Sequence, residues 1–127
     1  MNDSDKNSDF SISKKTYHLQ NIQALFDSGA YRNYIKRTLT DGETVEDLGY
    51  NTYMGIHRVI LANNSIVEGE KIRFEEIKIK DFSEKEPEFV IMDNLYEDVI
   101  IGAYLMQRFG INLDFSNDKL VIIPKNK

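Results

Sequence analysis

The chain has no cysteine and no tryptophan, and only two prolines and two histidines among its 127 residues. Without cysteine it can form no disulfide framework, thiolate nucleophile or thiolate metal site. Catalysis would therefore have to use oxygen or nitrogen groups. The histidines, His18 and His57, belong to no HExxH pattern and to no carboxylate cluster at metal-ligand spacing, and no serine lies in a G-x-S-x-G pattern. We therefore expect neither a metal site nor a cofactor.

The chain also lacks a surplus of basic residues and a long apolar run. Its formal net charge of -5 and pI near 5.0 argue against nucleic-acid binding, which needs clustered lysine and arginine. No run approaches the roughly 20 apolar residues that span a bilayer. The opening residues MNDSDKNSDF lack the basic and then apolar order of a signal peptide. We expect no nucleic-acid partner, no membrane association and, by default, a cytoplasmic location.

Composition divides the chain into a polar N-terminal arm and one folded domain. Residues 1–16 are mostly Asp, Ser, Asn and Lys, and such a segment buries too little apolar surface to offset the entropy lost on ordering. We expect it to be a flexible arm. Residues 17–127 contain short apolar runs rich in Ile, Val, Phe and Tyr, separated by turn signals. This pattern is typical of strands and predicts a single all-β domain.

Periodicity predicts the individual elements of that domain. Good helix formers between two glycines predict a short helix over 102–110, and a second helical or turn segment is predicted over 31–39. In KIRFEEIKI the alternation slips between Glu75 and Glu76, which predicts a β-bulge. Strands are predicted over 16–26, 59–61, 65–80, 88–92, 99–101, 111–115 and 119–123, the last two forming a hairpin.

The stretch ALFDSGA, residues 24–30, places a carboxylate at the end of an apolar run. Burying a lone carboxylate is costly unless it is paired or hydrogen-bonded, so Asp27 requires compensation. On its own the tripeptide Asp-Ser-Gly is typical of a strand end, where Asp27 and Ser28 accept backbone donors and Gly29 makes the turn. The tripeptide alone does not distinguish a turn from a catalytic site.

Three segments together resemble the retropepsin-like aspartic proteases. LFDSGA matches the family's apolar pair followed by Asp-Thr/Ser-Gly-Ala. VIIGAYLMQRFGINLDF, residues 99–115, matches the apolar pair, glycine and short helix that follow later in the family. Between them VILANNSIVEGEKIRFEEIKI, residues 59–79, resembles the family's flap, the hairpin that covers the substrate. The agreement extends over about residues 19–123, and it implies a closed β-barrel of the acid-protease fold with one short C-terminal helix.

The resemblance implies an aspartic endopeptidase that works as a homodimer, because the chain carries one Asp-Ser-Gly motif where pepsin-like enzymes carry two. Asp27 and its symmetry mate would face each other across a two-fold axis and share one proton, as aspartic-protease dyads do. One carboxylate would take a proton from a bound water as that water attacks the scissile carbonyl. The protonated partner would polarise the carbonyl oxygen.

The resemblance also implies roles for neighbouring residues. Ser28 would form hydrogen bonds across the two-fold axis, the Gly29 backbone would hold the carboxylate, and Ala30 would keep the cleft wall small. Gly102 would lack a Cβ where its strand passes beneath the active-site loop. The flap would close over an extended peptide substrate and pair with its backbone. The predicted flap residues are Ile60, Ala62, Asn63, Asn64, Ser65 and Ile66, with Ile56, Val59 and Val67 as further subsite candidates.

The sequence departs from the family pattern at three positions. Tyr31 follows Ala30 where Thr, Ser or Asp is common, Tyr104 lies where Asp or Asn is usual, and Asn64 replaces a flap glycine. Asn64 is compatible with the turn because asparagine tolerates left-handed backbone geometry. The alternative to an active protease is a noncatalytic relative on the same barrel, which would bind extended peptides or join subunits.

Overall fold

The fold is predominantly β in a computed structural model that describes residues 10–13, 24–60, 63–79, 82–114 and 119–122. These residues form eleven strands and two short helices. In chain order they are β1 (Phe10–Ser13), β2 (Ala24–Phe26), β3 (Asn33–Ile35), α1 (Val45–Leu48), β4 (Thr52–Ile60), β5 (Ile66–Arg73), β6 (Glu76–Ile79), β7 (Phe82–Lys85), β8 (Glu88–Ile91), β9 (Val99–Ile101), α2 (Ala103–Phe109), β10 (Ile111–Asp114) and β11 (Lys119–Ile122).

A six-stranded sheet with the order β2-β9-β3-β8-β5-β4 positions the Asp-Ser-Gly motif. Strand β9 lies between β2, to which it is parallel, and β3, to which it is antiparallel. The connection from β2 to β3, residues 27–32, must therefore cross the end of β9. Because Gly102 follows β9 directly, the topology brings the two separated motifs to one place.

The remaining strands form a three-stranded sheet, β1-β6-β7, and the hairpin β10-β11. The described strands thus make three separate sheets, and none of these closes into a barrel. Strand β1 includes four residues of the predicted N-terminal arm and pairs antiparallel with β6 of the same chain. The domain boundary at residue 17 stays a prediction, and the predicted strand over 16–26 is described only at 24–26.

The core consists of aliphatic and aromatic side chains contributed by the sheets and both helices. Phe74 and Phe89 are fully buried and meet edge to face, with ring centroids 5.4 Å apart. Leu105, Met106 and Phe109 form the buried face of α2. This helix was predicted over 102–110, and it ends at Gly110, whose φ of 71° provides the left-handed C-cap. The predicted hairpin is also present as β10-β11, with Ile111 opposite Ile122.

Two predictions of local structure are wrong. Residues 33–35, within the predicted helical or turn segment 31–39, form strand β3. Asn33 and Ile35 are buried on one face, and the strand pairs on both edges, with β8 and β9. The slip between Glu75 and Glu76 is a change of sheet, since β5 ends at Arg73 and β6 begins at Glu76 in the other sheet. The irregular pairing lies in β4, between Tyr53 and Gly55.

Helix α1 was not predicted, although a local signal exists. The side-chain oxygen of Thr44 accepts a hydrogen bond from the Asp47 backbone, and the Asp47 carboxylate accepts one from the Thr44 backbone. This reciprocal capping box is normally recognised by glutamate or glutamine at the third helical position. Aspartate takes that place here, which is why the pattern is easily missed.

Candidate active site

Asp27 lies immediately after β2 and is held by backbone hydrogen bonds. Its N–H donates to the carbonyl oxygen of Ile101 (2.9 Å), and its own carbonyl oxygen accepts from the N–H of Ala30 (3.1 Å). The Gly29 N–H donates to Oδ1 of the Asp27 carboxylate (2.9 Å). The loop therefore fixes one oxygen of the carboxylate by a charge-assisted hydrogen bond.

The other carboxylate oxygen of Asp27 receives no hydrogen bond from the described part of the chain. The side chain is partly exposed, and the neighbouring Ser28 and Gly29 are exposed. The loop thus presents one anchored and one open carboxylate oxygen to the outside of the protomer. Such an arrangement can accept a hydrogen bond from water or from a second acid.

Gly102 lies directly against the loop that carries Asp27. A Cβ on Gly102 would be only 2.3 Å from the carbonyl oxygen of Arg32 and 2.6 Å from that of Tyr31. These are backbone atoms, so they cannot move away as the end of a flexible side chain could. The close approach requires glycine at this position.

The N-terminus of α2 is joined to the same loop. The N–H groups of Ala103 and Tyr104 donate to the carbonyl oxygens of Ala30 (2.6 Å) and Tyr31 (3.2 Å). Backbone N–H groups in the first turn of a helix have no partner within the helix. Here the loop after Asp27 provides those partners, so that loop and helix stabilise each other.

Asn33 is a site residue that the sequence analysis missed. Its side chain is 6% exposed, Oδ1 accepts from the Gly102 N–H (2.9 Å), and Nδ2 donates to the carbonyl oxygen of Glu88 (3.2 Å). The side chain therefore connects β3, β8 and the end of β9. No local signal identifies it, because Asn33 begins a strand of only three residues, NYI, and its hydrogen-bond partner Gly102 lies 69 positions later in the chain.

The hairpin β4-β5 has the position in the sequence that was predicted for the flap, and its tip is exposed. Ile60 and Ile66 are paired and are 71% and 60% exposed. The Asn63 side chain accepts hydrogen bonds from the N–H (3.0 Å) and hydroxyl (2.6 Å) of Ser65, while Asn64 adopts a positive φ of 68°. Ala62 lies outside the described residues.

The two faces of the hairpin differ. Ile56 shares the exposed face with Ile60 and Ile66, whereas Val59 and Val67 are half-buried on the opposite face together with His57. Burial lowers the pKa of His57, and the positive charges of Arg32 and Lys71 lower it further. Among the described residues, no hydrogen bond or ion pair connects the hairpin to residues 27–30. Backbone hydrogen bonds to Ile101 and Ala103 thus bring residues 27–30 next to Gly102, whereas no such bond among the described residues ties them to the hairpin.

A groove of about 510 Å³ lies beside the Asp27 loop and does not include Asp27. Tyr31 and Tyr104, two of the three departures from the family pattern, line it with their rings 5.8 Å apart. Both tyrosines are exposed, Tyr31 by 63%. The groove thus begins four residues after Asp27 in the chain.

The described residues contain no group of three or more histidine, cysteine, aspartate or glutamate side chains that could hold a metal ion. In the same part of the chain, no helix has the length and apolar character needed to cross a membrane. Asp98, a fully buried acid just before β9, accepts hydrogen bonds from the N–H (3.0 Å) and hydroxyl (2.8 Å) of Thr40.

Comparison with known proteins gives one match. The model of a family described as aspartyl protease matches residues 14–105, which is more than half of the chain. The matched span contains the Asp27 loop, hairpin β4-β5 and Gly102, and it ends within α2. Neither the curated proteins nor the solved structures gave a match.

Proposed function

Because the chain belongs to the aspartyl protease family, we propose that it is an aspartic endopeptidase whose active site combines Asp27 from each of two identical chains. The sequence has one Asp-Ser-Gly motif, so a single chain supplies one catalytic acid. We also propose that each protomer, which carries one motif, has the closed barrel of the retropepsin-like proteases. A second copy then completes the site.

The observation that carries the proposal is the asymmetric environment of the Asp27 carboxylate. One oxygen accepts from the Gly29 N–H, while the other is open in the described part of the protomer. Two such acids facing each other cannot both stay ionised at close range, so the pair holds one proton. That shared proton, together with the Gly29 donor, compensates the carboxylates.

The reaction is a general acid-base hydrolysis. The ionised Asp27 accepts a proton from a water between the two acids as the water oxygen bonds to the scissile carbonyl carbon. The protonated partner donates a hydrogen bond to the carbonyl oxygen, and proton transfer to the leaving nitrogen then allows the C–N bond to break. No covalent intermediate with the protein is needed.

Neighbouring residues act as supports in this proposal. The Ser28 hydroxyl would donate across the two-fold axis, and Ala30 would keep the cleft wall small. Because Gly102 has no Cβ, α2 would pack against the loop without displacing the loop backbone. Hairpin β4-β5 would close over an extended peptide, with affinity from main-chain hydrogen bonds and specificity from Ile56, Val59, Ile66 and Val67.

The proposal is tested by cleavage of a denatured protein or a peptide library at mildly acidic pH. Asp27→Asn should abolish cleavage, as should a statine-type inhibitor, since both remove the function of the acid pair. Asp41→Asn is the matched control, because Asp41 is an exposed turn residue that accepts from the Glu43 N–H. It should leave cleavage unchanged.

A soluble dimer without Asp27-dependent cleavage between about pH 3 and 8 would overturn the proposed activity. Binding of intact peptides that is indifferent to Asp27→Asn would instead support the alternative, a noncatalytic peptide-binding or dimerisation module.

A further inference from the structure

Three cations converge on the carboxylate of Glu88, and two of them, Arg32 and Arg73, line the groove beside the Asp27 loop together with Glu88. Glu88 accepts from Arg32 (2.8 Å), and Lys71 Nζ and an Arg73 guanidinium nitrogen lie 3.8 Å from its other oxygen. The side chains of Lys71 and Glu88 are 21% and 28% exposed, so solvent screens this cluster only partly. A single negative charge neutralises one of the three, and the cluster keeps two surplus positive charges.

The other carboxylates of the groove do not remove this surplus. Glu84 is paired with Arg108 (2.9 Å), and Lys85 is paired with Glu76 (3.7 Å). Glu86 also lines the groove, and when it is counted the cluster keeps one surplus positive charge, which depends on Lys71, a residue that contacts Glu88 but does not line the groove. This surplus contrasts with the net charge of -5 for the whole chain.

The neighbouring histidine supports a positive field at this place. Burial is the main cause of the lowered pKa of His57, and the charges of Arg32 and Lys71 lower it further. Glu88 acts in the opposite direction but only as the smallest contribution. The half-buried face of hairpin β4-β5, which carries His57, therefore faces a site where a further cation is disfavoured and an anion is favoured.

The cluster retains donors for a ligand. A guanidinium has five N–H donors in a planar fork that suits a carboxylate. Arg32 uses one nitrogen for Glu88, and its side chain is 36% exposed. Tyr31 and Tyr104 form an exposed aromatic wall next to it, which can pack against the apolar part of a bound residue.

The groove lies within reach of a peptide held at Asp27. Arg32 follows Asp27 by five residues, so their Cα atoms are at most about 18 Å apart. An extended peptide covers this distance with about five residues. A side chain in the groove would therefore belong to a residue close to the scissile bond.

We propose that this groove is a subsite for an acidic side chain, aspartate or glutamate, of an extended peptide, and that Arg32 is its principal ligand. Its position relative to a cleaved bond rests on the proposed function, but the binding itself does not. The acid lies within about five residues of the scissile bond held at Asp27. Lys71 and Arg73 keep Glu88 compensated when Arg32 turns to the ligand.

The test uses labelled peptides of about ten residues that carry either Glu or Gln at one position and are otherwise identical. Binding to full-length Asp27→Asn protein is measured by fluorescence anisotropy. The Glu and Gln peptides are compared at each position near the centre of the peptide in turn. At one position Glu should bind about tenfold more tightly than Gln, because its hydrogen bond with Arg32 is charge-assisted. A preference below about twofold at every position overturns the proposal.

The residue assignment is tested by Arg32→Gln, which should reduce the Glu preference to less than about threefold. Lys78→Gln is the matched control, because Lys78 is an exposed cation on β6 outside the groove, and it should preserve the preference. An undiminished preference in folded Arg32→Gln overturns the assignment. If Arg32→Gln does not fold, Arg32→Lys decides the question, because it keeps the charge but loses the planar fork of donors and should weaken the Glu preference, and an undiminished preference overturns the assignment.

The binding measurement separates this proposal from the proposed function. It uses a variant that lacks the catalytic acid, so a wild-type protein that cleaves nothing leaves its result intact. Conversely, Asp27-dependent cleavage without any Glu preference overturns the acidic subsite alone.

Discussion

The loop that carries Asp27 and the hairpin β4-β5 are built in opposite ways. The loop is joined to the ends of β9 and α2 by backbone hydrogen bonds, and Asn33 and Gly102 are buried beside it. The hairpin is joined to the body at its base, where β5 pairs with β8 and Arg37 pairs with Glu70, while its tip exposes Ile60 and Ile66. The chain thus fixes the loop that carries Asp27 and leaves the apolar tip of the hairpin exposed.

The largest contrast is expected within strand β5 itself. Ile72 is fully buried, whereas Ile66 near the tip is 60% exposed. Ile72→Ala should lower the free energy of unfolding by about 2 to 5 kcal/mol through lost burial and a cavity, and Ile66→Ala by less than about 0.5 kcal/mol. Urea denaturation measures both. Equal losses would contradict the account in which the base of the hairpin contributes to the stability of the fold and its tip does not.

Gly102→Ala tests how tightly the loop is held. The added Cβ collides with two backbone oxygens, so we expect a loss of about 3 kcal/mol in the free energy of unfolding. Gly42→Ala is the matched control, because Gly42 has a positive φ of 92° but open space around it. It should cost about 1 kcal/mol from backbone strain alone. If Gly102→Ala lowers the free energy of unfolding no more than Gly42→Ala does, the loop moves to accommodate the added Cβ and is not tightly held.

Asn33→Ala removes the side chain that connects the loop to β8. It leaves the buried N–H of Gly102 and the carbonyl of Glu88 without this partner, which should cost about 2 kcal/mol. Thermal unfolding measures the loss, and Asn94→Ala, at an exposed position, serves as the control with an expected change below about 0.5 kcal/mol. If the two variants unfold at the same temperature, the Asn33 side chain does not stabilise the connection between the loop and β8.

The smallest effect concerns the half-buried face of the hairpin. The pKa of His57 is lowered from its ordinary value near 6.5, so between that value and the lowered one the unfolded chain binds more protons. Stability is therefore lost as the pH falls through this window, and it is fully present above about 6.5. An NMR titration should give a lowered midpoint for His57, and Arg32→Gln should raise it. An unchanged midpoint in Arg32→Gln would show that the charge of Arg32 does not affect the pKa of His57.

Sequence reasoning predicted what local pattern determines. Helix α2 and its C-cap at Gly110, hairpin β10-β11 and the end of the strand before Asp27 follow from residues near one another in the chain. The left-handed geometry expected at Asn64 is also present, with φ of 68°, because it depends on the properties of that residue alone.

The remainder depends on contacts between distant residues. Asn33 acquires its role from Gly102, 69 positions later. The 31–39 segment was predicted as helical or turn, because its strand pairing with β8 and β9 is invisible locally. The cationic cluster joins residues 32, 71, 73 and 88, from two strands and a loop. The alternation at Glu75 and Glu76 signalled an interruption correctly, but only the tertiary structure distinguishes a bulge from a change of sheet.

The central claim, that two chains each contribute one Asp27, is tested most directly by mixing wild-type protein with Asp27→Asn. Equal amounts are combined at concentrations where the protein is dimeric, and cleavage is followed after the chains have exchanged. If mixed dimers are inactive, random pairing leaves about half of the original wild-type activity, and further variant lowers it progressively. Activity that stays constant as Asp27→Asn is added would show that each chain acts alone and would contradict the account.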